Sequence, residues 1–96
     1  MRDIPDALPG ADLIREGLRD LERGVESVPA LLVLVGAPRL RDLGLAIQNP
    51  LPAGTHPEHR LYDLLAATDG DEAHSRYNAL IRRLVSFERA AECVSP

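Results

Sequence analysis

The chain has no lysine and no tryptophan, one cysteine and three aromatic residues among its 96 amino acids. Each scarcity excludes something. Without lysine there is no side-chain amine for Schiff-base or amine-base chemistry, and all eleven basic residues are arginines. A single cysteine, Cys93, cannot close an intrachain disulfide, which fits a reducing compartment. Few aromatics leave a core that must be aliphatic, and leucine and alanine supply it. Both are good helix formers, and β-branched residues are few.

Long apolar runs are also missing. Nothing approaches the ~18 residues needed to span a bilayer, and the first residues carry no signal-peptide core. The expectation is a cytoplasmic protein with no membrane partner. A net charge of −4 argues against broad nucleic-acid or anionic-membrane binding. The length fits one domain burying about two thirds of its unfolded surface.

What is present is helical periodicity. Ala73, Tyr77, Leu80, Leu84, Phe87, Ala91 and Val94 recur at spacings of four and three, which places them on one face of a long final helix. A second seam, Ala11, Ile14, Leu18, Leu21, Val25 and Val28, predicts a helix from about Gly10 to Ser27. Asp12/Arg15, Glu16/Arg19 and Asp20/Arg23 are opposite charges three residues apart on its outer side. Gly17 and Gly24 interrupt that pattern at about 1 kcal/mol each. Either a neighbouring backbone approaches closely there or both are tolerated at the surface.

Residues 30–35 are the one uninterrupted apolar run. A lone strand would need sheet partners, and no other segment reads as one, so a helix buried on all sides is expected. Pro38 can open another helix with Leu40, Leu43 and Ile47 inward. Residues 49–54 read as a loop. Thr55 and Glu58 match a capping box for a helix reaching about Thr68, with Leu61, Leu64, Leu65 and Thr68 inward. Gly70 supplies a tight link to the last helix. The sum is an all-α, single-domain bundle of four or five helices over residues 10–96, preceded by an extended arm at 1–9.

Candidate chemistry is sparse. His56 and His59 lie three apart, as metal ligands can, with His74 or Asp63 as further donors. They lack the second element that makes a metal motif specific, and His56 sits at the positive end of a helix, so solvated histidines are the simpler reading. Cys93 lies about 28 Å along its helix from His74, too far for a thiol–imidazole pair. Arg76, Arg82, Arg83 and Arg89, with Tyr77 and Asn78 between them, form a basic face that could reach phosphates. They fall on two stripes, however, and residues 1–35 carry seven acids against four arginines that could neutralise them. A helix-turn-helix through Gly36 fails because Asp42 would occupy an apolar position.

No catalytic constellation emerges, so neither an enzyme nor a cofactor or metal site is expected. The two heptad seams and the apolar 30–35 run point instead to a helical protein–protein interaction module of adaptor or regulatory kind, a homodimer completing its core with a second copy or a module docking another helical protein. Leu31, Leu32, Val33, Leu34, Val35, Leu80, Leu84 and Phe87 are the expected interface residues. The alternatives are a nucleic-acid-associated regulator acting through the four arginines and a metal-binding enzyme or sensor at His56 and His59.

Overall fold

The computed structural model describes residues 4–94, which contain no strand. The chain forms five helices in order: α1 (Ala11–Glu22), α2 (Val28–Val35), α3 (Ala37–Asp42), α4 (Pro57–Asp69) and α5 (Ala73–Val94), with a 3-10 turn at Gly70–Glu72 linking the last two. Residues 6–10 make successive turns and bends, where an extended arm was expected: the Leu8 N–H donates to the Pro5 carbonyl at 3.2 Å, and Leu8 packs on the core. The rest of that arm, residues 1–3, lies outside the described residues.

The apolar run from Ala30 to Val35 is a helix, as expected, and it is the centre of the bundle. α2 contacts α1, α4 and α5, which explains why it can be apolar all round. The final seam buries Ala73, Leu80, Leu84, Phe87 and Ala91, leaves Tyr77 half-buried, and exposes Val94 at its end.

The first seam is only half consumed. Ala11 and Ile14 are buried, but α1 stops at Glu22 rather than near Ser27, and Val25 is 47 % exposed. Gly24, at φ +71°, is the reason. Its N–H reaches the Leu21 carbonyl at 3.1 Å while the Val25 N–H reaches Asp20 at 2.8 Å, the paired bonds of a Schellman stop. In that motif the residue after the glycine covers an apolar partner on the last turn. Here the partner position is Asp20, so Val25 stays out. Gly17 behaves differently from Gly24. A β-carbon there would lie 2.4 Å from the Pro29 carbonyl oxygen and 2.5 Å from Val33 Cγ2, so α1 and α2 touch backbone to backbone at this point.

Asp20 does local work of its own. Buried to 8 % exposure, it accepts from Ser27 Oγ at 2.6 Å, and Ser27 Oγ accepts in turn from the Ala30 N–H at 3.2 Å. The carboxylate thus orients the hydroxyl that caps α2. Of the expected surface pairs on α1, Asp20–Arg23 forms at 3.4 Å, whereas Asp12 pairs with Arg83 and Arg15 with Asp6.

Two further boundaries differ from expectation. α3 ends at Asp42, where the Leu45 N–H bonds the Leu40 carbonyl (3.1 Å) and the Gly44 N–H bonds that of Arg41 (2.9 Å), the same helix stop as in α1. Ile47 is therefore buried from a non-helical segment, alternating with Leu45, rather than from a helical face. And α4 is preceded by His56, without a side-chain cap, so Thr55 and Glu58 make no capping box. Thr68 is exposed, its hydroxyl donating back to the Leu64 carbonyl at 3.2 Å.

Candidate functional site

Once α2 and α5 have taken their places, the expected interface residues are no longer available. Leu31, Leu32, Val33, Leu34, Leu80, Leu84 and Phe87 are all buried within one chain, and Val35 is half-buried. They form the core of the single chain, because α2 is enclosed by three other helices.

The apolar surface that remains open follows from the early stop of α1. Leu18, Leu21 and Val28 are partly buried against the core and Val25 is exposed, so the second half of the first seam is only partly covered. The connection from α3 to α4 forms the facing wall, with Leu45 and Ile47 on one stretch and Leu51 further along. Two clefts share Leu21. One, of about 620 Å³, runs between Leu18, Leu21 and Glu22 and residues 44–48. The other, of about 330 Å³, lies beneath Val25 with Ala30, Leu31 and Leu34 as its floor and Pro50, Leu51 and Pro52 as its wall. Such volumes suit apolar side chains or a small ligand.

The loop wall is held in place by local bonds. Asn49 Oδ1 accepts from the Leu51 N–H at 2.9 Å, and the Thr55 N–H reaches the Pro52 carbonyl at 3.0 Å. At the rim of the smaller cleft Arg60 grips Glu26 in a fork, Nε to Oε1 at 3.0 Å and Nη2 to Oε2 at 2.6 Å, tying α4 to the segment before α2.

The basic face does not assemble as one site. Arg83 pairs with Asp12 at 3.3 Å, while Arg76, Arg82 and Arg89 are exposed, and at about 100° per residue the two stripes point about 120° apart. His56 and His59 are exposed, their rings edge to face with centroids 5.3 Å apart. His74 lies elsewhere, against Tyr62 (6.5 Å) and within 3.2 Å of Asn78 Nδ2. No cluster of three or more His, Cys, Asp or Glu side chains placed to hold a metal occurs among the described residues. The Tyr77 ring lies tilted against that of Tyr62, centroids 5.8 Å apart, and burial, with the Glu58 carboxylate adding to it, pushes its phenol above the ordinary range. Cys93 is exposed.

No family model matches this chain. No curated protein or solved structure matches it either. The groove must therefore be read from its own chemistry.

One buried carboxylate lies apart from the groove. Glu88, 7 % exposed, sits on α5 against Gly36, where a β-carbon would fall 3.3 Å from Oε2. Burial raises its pKa; the Arg39 guanidinium, itself paired with Glu92, pulls it back, and Glu92 pushes it up. A carboxyl whose folded pKa lies above its unfolded value binds more protons when folded. Its contribution therefore weakens stability as pH rises from the unfolded pKa through the folded one. Glu88→Gln is expected to raise stability at pH 7 by on the order of 1 kcal/mol. The gain over wild type should shrink on acidification toward pH 4. Thermal melts of both proteins across that range check it, and a gain that grows on acidification would contradict the assignment.

Proposed function

We propose that this protein is a helical interaction module of adaptor or regulatory kind, and that its docking surface is the groove flanked by Leu18, Leu21 and Val25. The observation that carries the reading is the half-open first seam. Its apolar residues repeat with helical regularity, yet the fold leaves Val25 uncovered beside two clefts that Leu21 shares. An exposed apolar patch with a polar rim is where protein contacts form, because covering it removes apolar area from water. A second copy of the chain is one occupant, which would make the protein a homodimer; another polypeptide is the other.

A photo-crosslinking residue tests the location. Placed at Val25, it is expected to give discrete covalent adducts, either with a second copy or with another protein in host extract. Placed at Ala79, an exposed position on α5, it should give none. Adduct mass distinguishes a homodimer from a heterologous complex. Equal labelling from both positions, or none from Val25, would remove the groove as the docking surface.

A nucleic-acid role is the second reading, favoured by the exposed guanidinium groups of Arg76, Arg82 and Arg89, which make no ion pair among the described residues. It is weakened by their split over two stripes and by the Arg83–Asp12 pair.

A further inference from the structure

The larger cleft has a backbone edge along one side. Residues 45–48 adopt neither helix nor turn, and burial alternates strictly: Leu45 and Ile47 are buried, Ala46 and Gln48 exposed. The hydrogen bonds alternate in the same way. The Leu45 N–H reaches back to the Leu40 carbonyl at 3.1 Å, and the Ile47 carbonyl accepts from Arg41 Nε at 2.9 Å, so both odd-numbered residues turn their backbone toward α3. That is the pattern of an extended chain whose even-numbered residues turn their N–H and C=O to the opposite side. The backbones of Ala46 and Gln48 bond nothing among the described residues. The result is an extended backbone edge, with two residues unpaired among the described residues, bordering a cleft of about 620 Å³ lined by polar and apolar groups alike.

We propose that this edge is a strand-docking site for an extended peptide with alternating apolar side chains and a basic residue at one end. The inference rests on the groove being the docking surface and names what it holds. The open backbone groups select an extended chain. A helix has no free N–H or C=O groups along its length, so covering Ala46 and Gln48 with one would leave them dry and unpaired. An added strand bonds them and drops every second side chain against Leu18 and Leu21. A second copy of residues 44–48 could pair edge to edge, but its Leu45 and Ile47 are committed to its own core and would leave the cleft beside Leu18 and Leu21 unfilled. The basic residue follows from charge. Glu22 lines the cleft, is exposed, makes no ion pair among the described residues, and ends α1, where the helix dipole is negative. Arg23 is engaged with Asp20 and Arg41 Nε with Ile47, while Arg19, one turn back on α1, makes no ion pair among the described residues, so Glu22 is left to an incoming cation.

The test uses the full chain and a phage-displayed library of random dodecapeptides. Selected peptides should alternate apolar and polar residues and carry an arginine or lysine. A synthetic peptide from the selection should slow amide exchange at Ala46 and Gln48. Ala46→Pro removes an N–H that bonds nothing in the free protein, so it should leave the melt unchanged and weaken that peptide about tenfold. Glu22→Gln should abolish the preference for a basic residue. Peptides with helical spacing that shield Leu18 and Val25 but leave the Ala46 and Gln48 amides exchanging freely would overturn the strand inference while keeping the groove. If nothing is enriched relative to selection on Leu21→Asp, both the strand and the groove fall.

Discussion

Replacing Phe87 with alanine is expected to lower the unfolding free energy by about 3–5 kcal/mol. Phe87 is the largest fully buried side chain, at 0 % exposure, and its β-carbon would meet a side chain added at Gly10, so it joins α5 to the start of α1. The loss combines the transfer of a phenyl group to water with a cavity that an all-aliphatic surrounding fills only partly. A domain of this size holds about 5–15 kcal/mol in total, so the melting midpoint should fall by tens of degrees. Val85→Ala, two residues away on the opposite side of α5 at 36 % exposure, is the control and should change stability by about 0.5 kcal/mol or less. If the two variants melt together, the final seam is not the core.

Gly17→Ala carries the second large effect, and its sign is the informative part. Helix propensity alone predicts a gain of about 1 kcal/mol, since glycine is a poor interior helix residue. The structure predicts a loss of about 1–3 kcal/mol. The added methyl would stand 2.4 Å from the Pro29 carbonyl oxygen, and a backbone atom at the head of α2 cannot rotate away as a flexible side chain would. α1 would have to lift from α2, and it would take Ile14 out of the core as it did so. Chemical denaturation of wild type and variant decides between the two signs. An alanine variant as stable as wild type, or more so, would mean that α1 and α2 do not meet at this point.

Much of the architecture was legible in the order of residues. The seam of α5 announced its buried face because residues at spacings of three and four share one side of a helix whatever surrounds them. The apolar run 30–35 was legible as a buried helix because no other segment read as a strand from its sequence pattern. Loop chemistry was readable at residues 49–54 for an equally local reason. Where the reading failed, the failure came from a local competitor that had been undervalued. Gly24 and Gly44 both stop helices in the same way, and each stop shortened an apolar pattern that seemed to continue: past Val25 in one case, to Ile47 in the other. A glycine placed before the last apolar member of a seam was the signal that could have exposed the groove.

The division between the two levels is physical. Sequence by itself determined what depends on neighbours a few residues apart: helical faces, the aliphatic character of the core, the absence of amine chemistry, and the acidic balance of the chain. Tertiary structure alone decided what depends on which surfaces meet. It made Gly17 a contact and Gly24 a stop, although both cost the helix the same. It turned Asp12 toward Arg83, seventy-one residues away, instead of toward Arg15. It also enclosed the residues that looked like an interface and left half of another seam open. Periodicity marks a face as apolar, but only packing against other elements determines whether that face is already covered.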